Sequence, residues 1–440
     1  MKFPKALPAA VTDALLVLFL FLLPWQTRLV VEQVPLAGGP WEYGTLGIYA
    51  TEVLLWLAVL CGSTPHTRDF IRARAWWLAG LAFLVGLAFI SLAWAIVPRV
   101  GAFAALHLLD AFLLIVLLGR TRLRGSTLAA VFIAGVLIQA LVGLLQIVFQ
   151  WVPASSLSGM AEHRPSSLGT SVVETGAGRF LRAYGGLPHP NILGGYLATA
   201  LVLLAPFIAE ARRPIRRTFV WVALVVTVVG LVITFSRSAW LGAFAGLLVI
   251  AFFLVPRSRS EARTRLSAAG ALLFITVLIF GFLFRDAIAG RVRGDGRLEA
   301  MSRVERQVGA REAWSIFLAH PWRGVGIGNY TAAAHEISPG RPSWAYQPVH
   351  NVPLLVTVEL GVLGVVFFLL AGLAFFGSLR RERAAPTPFR LALLGGLATL
   401  VIVSFLDHYL WSLYPGVMLV ALLAGFWLHE AQKEQAVEGS

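Results

Sequence analysis

The stretch FVWVALVVTVVGLVITFSRSAWLGAFAGLLVIAFFLV, residues 219–255, carries a single charged side chain, Arg237, between apolar runs at 219–235 and 238–255. A helix crossing hydrocarbon needs roughly 20 mostly apolar residues. Each run is about that long, and almost no loop separates them. Neither run shows the two-residue alternation of a membrane barrel strand. In hydrocarbon a helix satisfies its backbone polar groups from within its own segment. The stretch therefore reads as two spanning helices joined by a tight reversal that holds an arginine.

The same reading extends in both directions. Further apolar runs lie at about 9–24, 45–62, 76–94, 102–118, 128–150, 190–209, 266–284, 352–376, 390–406 and 412–428. The expectation is an all-α polytopic membrane protein, a single membrane domain over 1–440 with about twelve transmembrane helices. Composition agrees: the chain is 58% hydrophobic and 13% charged, far from a soluble domain of 440 residues. The first run follows Met1-Lys2-Phe3-Pro4-Lys5 with no small-residue cleavage site after it, so it reads as an uncleaved first span. The single cysteine, Cys61, rules out a disulfide framework.

A net charge of +14 would suggest a nucleic-acid partner in a soluble protein. Here its distribution points to topology. With the N-terminus in the cytoplasm and alternating sides, basic residues cluster on the cytoplasmic face. They include Lys2, Lys5, Arg68, Arg72, Arg74, Arg120, Arg122, Arg124, Arg212, Arg213, Arg216 and Arg217. Later clusters hold Arg257, Arg259, Arg263, Arg265, Arg380, Arg381, Arg383, Arg390 and Lys433. The short external connections carry only Arg28, Arg99 and Arg237. This is the positive-inside pattern, with both termini cytoplasmic. The cytoplasmic connections are short and hold no Walker motif, which argues against ATP-driven work.

Two external loops are long, at about 151–189 and 285–351. Within the second, residues 298–319 read as a helix that His320-Pro321 stops. Gly324, Gly326 and Gly328 follow. No strand precedes them, so they read as a tight turn rather than a phosphate-cradling loop.

Several polar residues break the local rule at the external membrane boundary. Arg237 sits against the charge bias at hydrocarbon depth; such a residue either snorkels to headgroups or has a partner. Arg182 precedes the run at 190–209, which Pro190-Asn191 opens. Read alone, Arg182 is either a solvated loop residue or half of an anion clamp with Arg237, since guanidinium binds phosphate oxygens in pairs. His350-Asn351 ends the second loop, and histidine is the side chain best suited to take a proton near neutral pH. Asp407-His408 ends the run at 390–406; Asp407 reads as an orienting or arginine-pairing carboxylate or as a helix-end residue. Glu52, Asp110 and Glu359 lie within spans facing the bundle interior, with His107 and Asp110 placed to pair at i, i+3. No metal site is expected: the sequence has no His-Glu-x-x-His, no cysteine pair and no external acidic cluster. No Gly-x-Ser-x-Gly elbow is present either.

In order and spacing these segments resemble the O-antigen ligase and O-antigen polymerase superfamily of bacterial envelope glycosyltransferases. The resemblance rests on Arg-x-x-Gly…Pro-Asn-Ile-Leu-Gly-Gly-Tyr-Leu-Ala at 182–198 and Thr-Phe-Ser-Arg-Ser-Ala at 234–239. It rests equally on Arg-Glu-Ala-Trp…His-Pro-Trp-Arg-Gly-Val-Gly-Ile-Gly-Asn-Tyr at 311–330 and His-Asn-Val-Pro-Leu-Leu…Glu-Leu-Gly-Val-Leu-Gly at 350–364. It covers residues 180 to 365; the first five spans match in hydropathy alone. The resemblance implies a GT-C type transferase of the bacterial inner membrane with its active site on the periplasmic side. It implies a glycan donor on undecaprenyl diphosphate and an acceptor hydroxyl on lipid A–core oligosaccharide for a ligase, or on another lipid-linked repeat for a polymerase. It implies catalytic roles for His350, Arg182 and Arg237, and substrate contacts for Arg311, Asn191, Asn351 and Asp407. The implied chemistry is inverting, uses no cofactor, metal or ATP, and involves no nucleic acid. Ligase is the favoured expectation; a lipid-linked glycan transporter is the alternative of another class.

Overall fold

The computed structural model describes residues 9–62, 75–176, 178–293, 297–381 and 387–438. Lys2, Lys5, Arg68, Arg72, Arg74 and Arg383 of the charge pattern lie outside them. The described residues are mostly helical. Nine helices are long and apolar enough to cross a membrane, and three shorter apolar ones cover Ala10–Leu22, Ala50–Cys61 and Tyr414–Glu430. The outer helices turn large apolar side chains outward: Phe252 is 68% and Phe282 67% exposed. Water would penalise such surfaces, and lipid accepts them, so the helices fit an integral membrane protein.

Two small antiparallel hairpins qualify the all-helical expectation. The apolar stretch at 45–62 is helical only from Ala50. Its first residues, Thr45–Tyr49, form a strand paired with Arg28–Gln33. Hydropathy counts apolar residues without distinguishing a strand from a helix, and the partner strand decides. A second hairpin pairs Val172–Thr175 with Gly178–Leu181 and delivers the chain to Arg182.

The helix Pro190–Leu203 is the axis of the fold. All but one of its residues are buried, and it packs against Arg237–Val249 and Pro388–Leu406. Gly194 and Gly195 permit this closeness: a Cβ at Gly195 would collide with the Tyr409 hydroxyl.

The reversal seen in the sequence at 234–238 forms between Pro214–Ile233 and Arg237–Val249. Phe235 turns the chain with φ of +48°, a left-handed conformation costly for a bulky residue. Its fully buried ring meets Phe180 and Phe284 edge to face, which holds the strained backbone in place. Ser236 then caps the new helix through Oγ and the Ala239 N–H. Arg237 is thereby fixed as the first helical residue.

The helix expected over 298–319 runs from Arg297 to Ala319. The glycines beyond it make a turn that docks into a break in the helix Val352–Arg381. The break is at Gly361, with φ +64° and ψ −161°. Two carbonyls released there accept hydrogen bonds: Val325 N–H donates to Val358 at 3.1 Å and Gly326 N–H to Glu359 at 2.9 Å. The Val362 N–H donates to the Pro321 carbonyl at 2.8 Å. A Cβ at Gly361 would lie 2.4 Å from the Trp322 oxygen, so only glycine fits. This junction fixes the segment that leads back to His350.

Glu52, Asp110 and Glu359 are buried, as expected for interior-facing acids. The expected His107–Asp110 pairing along one helix is replaced by a contact across helices. His107 Nε2 lies 3.4 Å from Glu52 Oε1, because the second helix packs its glutamate at that height.

Candidate active site

Four of the seven residues singled out as a site in the sequence, Arg182, Asn191, Arg237 and His350, meet at one cavity. This cavity of about 280 Å³ is lined by Arg182, Asn191, Arg237 and His350, together with His189 and Arg306. Their elements are distant in sequence: the end of the second hairpin, the start of the axial helix, the reversal at 234–238, the helix Arg297–Ala319 and the segment before Val352.

Arg182 is buried and held by a fork. Its Nε donates to the Thr234 carbonyl at 2.8 Å, and a terminal nitrogen donates to Asn191 Oδ1 at 2.6 Å. Asn191 passes the connection on through Nδ2, which donates to Asp407 Oδ2 at 2.6 Å. Asp407 caps the end of Pro388–Leu406, and its Oδ1 accepts the His408 N–H at 2.9 Å. A charge-assisted chain thus joins Arg182, Asn191 and Asp407. Asp407 does not line the cavity; it orients Asn191 from behind.

His350 meets His408 edge to face, with ring centroids 5.0 Å apart. Burial pushes its pKa down against the opposing charge of Asp407, so the ring is neutral at pH 7. Burial alone would push the Asp407 carboxyl up. The imidazoles of His408, His350 and His189, as they take up protons in acid, and the His408 N–H outweigh that and hold it below the usual carboxylate range. His408 and His189 are each pushed down to about 3, chiefly by burial. Both have fixed rings: His408 Nδ1 is 2.7 Å from Ser412 Oγ, and His189 Nδ1 accepts the Asn191 N–H while Nε2 meets Ser171 Oγ at 2.9 Å.

Besides Asp407, two more expected residues fall outside the cavity lining. Arg311 is exposed on Arg297–Ala319 and does not line the cavity; Arg306, further towards the N-terminus of that helix, does. Asn351 caps the helix it begins. Its Oδ1 accepts the Leu354 N–H at 2.9 Å and its Nδ2 reaches the Phe405 carbonyl at 3.3 Å. It anchors the neighbour of His350 without lining the cavity. His189, Arg306 and His408 had no assigned role from sequence. His408 adjoins Asp407, and His189 precedes Pro190-Asn191, so both lay inside stretches already marked. Arg306 sits on an amphipathic helix with many arginines and had no distinguishing local signal.

Among the described residues, His350, Asp407 and His408 form the one group whose donor atoms lie close enough to hold a metal ion, all within 4.8 Å. The sequence alone did not suggest such a cluster. Both Asp407 oxygens already accept hydrogen bonds, and three arginines line the adjoining cavity, a charge that opposes a divalent cation. The same charge suits an anion. Several guanidinium groups around one cavity bind phosphate oxygens, and a neutral imidazole beside them can accept a proton.

Residues 222–369 match a family model described as O-antigen ligase, which supports the O-antigen ligase and polymerase superfamily. The matched segment contains Arg237, Arg306, Arg311 and His350, whereas Arg182, Asn191 and Asp407 lie outside it. No curated protein matches the chain.

Proposed function

We propose that this protein transfers a glycan from undecaprenyl diphosphate to a hydroxyl of lipid A–core oligosaccharide at the periplasmic face of the inner membrane. The observation that carries the reading is the meeting of Arg182, Arg237, Arg306 and His350 around one cavity. The family match to O-antigen ligase supports activity of the ligase or polymerase type.

In the proposed reaction the donor diphosphate sits among the arginines. The acceptor oxygen attacks the anomeric carbon from the face opposite the diphosphate. Its O–H bond breaks, and the proton passes to a ring nitrogen of His350. The bond between the anomeric carbon and the phosphate oxygen breaks, and its electron pair leaves on undecaprenyl diphosphate. One displacement inverts the anomeric centre. Charge builds on the leaving oxygen, and fixed guanidinium groups stabilise it; removing one such donor typically costs about 10²–10³-fold in rate. A diphosphate so neutralised leaves without a metal or nucleotide.

The test is transfer by purified protein supplied with an undecaprenyl-diphosphate glycan, with and without lipid A–core, and with neither metal nor ATP. Glycan attached to lipid A–core is the expected product. A ladder of longer lipid-linked glycans formed without that acceptor would replace ligase by polymerase. A protein that binds the donor and forms neither product would overturn the transferase reading in favour of transport.

A further inference from the structure

A second cavity lies on the other side of the His350–His408 pair, with chemistry unlike the first. Its exposed rim carries Arg28 and Glu42 from the first hairpin and its connection, and its half-buried wall carries Tyr43, Trp411 and Ser412. Pro348, two residues before His350, lines it as well. Its volume is about 100 Å³, against about 280 Å³ for the first, so it is sized for one ring rather than for a whole glycan.

His408, which lines neither cavity, connects their linings. His408 meets His350 on one side. On the other it meets the Tyr43 ring at 5.9 Å, and its Nδ1 bonds the Ser412 hydroxyl. The aromatic groups are held firmly. Trp411 Nε1 donates to Glu359 Oε2 at 2.7 Å, and the Tyr43 hydroxyl donates to Gln347 Oε1 at 2.8 Å, three residues from the proposed base. Arg28 donates to the Tyr49 hydroxyl at 3.2 Å.

We propose that this second cavity is the acceptor subsite and binds a pyranose ring of the acceptor glycan, with Tyr43 and Trp411 as the stacking platform and Glu42 and Arg28 as hydroxyl partners. This rests on the transferase reading and adds where its acceptor sits. The charge pattern separates the two ligands. Among the described residues, the first cavity is lined by three arginines and no carboxylate, which suits a diphosphate. The second holds one arginine and two acidic side chains, Glu42 and Glu359, and offers a diphosphate no cluster of guanidinium groups. A sugar ring presents both donors and acceptors around its edge and apolar C–H faces above and below. Paired acid, base and aromatic groups match it. A ring seated there lies close to His350, with only the His408 side chain between their neighbourhoods.

The test is equilibrium binding to the full-length protein in nanodiscs without donor, read by saturation-transfer NMR. The probes are core oligosaccharide released from lipid A and a delipidated repeat-unit oligosaccharide. Wild type should bind one of them. Trp411→Ala and the rim variant Glu42→Gln should each weaken it by roughly three- to tenfold. Both should leave undecaprenyl diphosphate binding within twofold, which also reports that they fold. Arg237→Ala should show the opposite pattern. Oligosaccharide binding indifferent to both Trp411→Ala and Glu42→Gln, displaced by undecaprenyl diphosphate, or absent for both probes would overturn the assignment. Oligosaccharide bound here by a protein that transfers no glycan would instead overturn the transferase reading and leave the cavity assigned.

Discussion

Replacing Arg182 by lysine keeps the charge and removes the fork. In the native site Nε bonds the Thr234 carbonyl at 2.8 Å and a terminal nitrogen bonds Asn191 at 2.6 Å, from one planar group. A lysine ammonium has three donors at one point and cannot reach both acceptors in that geometry. Hydrogen bonds to charged groups contribute about 1.5–3 kcal/mol each. Losing one of the two therefore costs about 1.5–3 kcal/mol, or roughly 10- to 150-fold in whatever the bond supports. Asn191 is then free to turn from Asp407, and the remaining charge no longer points at the leaving diphosphate. Arg182→Lys should lower transfer by about 10- to 150-fold and should reduce the thermal midpoint, whereas a purely electrostatic role predicts a loss of only a few-fold. The assay is the initial transfer rate at saturating donor, with donor affinity measured separately. Wild-type rate in Arg182→Lys would refute the argument that the fork, and not the charge alone, is what the site requires.

Other consequences follow from the same geometry. His350→Ala should reduce transfer by about 10²–10⁴-fold while donor binding persists, and Arg237→Ala should weaken donor binding as well; single-turnover rates and donor titrations separate the two. Because burial holds His350 below the ordinary histidine value of 6.5, its neutral, base-competent form persists as the pH falls through 6.5. Transfer should stay level to that point and decline only in more acid buffer, which a rate profile between pH 5 and 8 reads directly. Stability carries the related sign. His189 and His408 stay neutral down to about 3 when folded but protonate near 6.5 when unfolded. The unfolded chain therefore binds more protons in between, and thermal stability should be full above about pH 6.5 and fall steadily below it. Gly361→Ala forces a side chain into a left-handed backbone position and against the Trp322 carbonyl. It should cost about 1–3 kcal/mol in thermal unfolding and reduce transfer by shifting the segment that carries His350.

The sequence by itself determined that the chain is built of apolar helices, the reversal at 234–238 and the helix over 298–319, and it singled out Arg182, Arg237, Asn191 and His350 as residues that break the local rule. These are local properties: an apolar run reports its own burial, and a charged residue at a span's edge is costly wherever the chain goes next. Only the tertiary structure decided that the marked residues share a cavity, because the contacts that join them are remote. Asn191 bonds a carboxylate 216 residues away, and no local pattern encodes that distance. The same limit explains the shifts in assignment. Arg306 faces the cavity and Arg311 does not because the azimuth of Arg297–Ala319 is set by what it packs against. The strand at Thr45–Tyr49 replaced the first turns of an expected helix because its partner lies in another segment. The pairing of His350 with His408, and the second cavity behind it, arise from helices meeting at one end of the bundle, and packing alone fixes which side chains meet there.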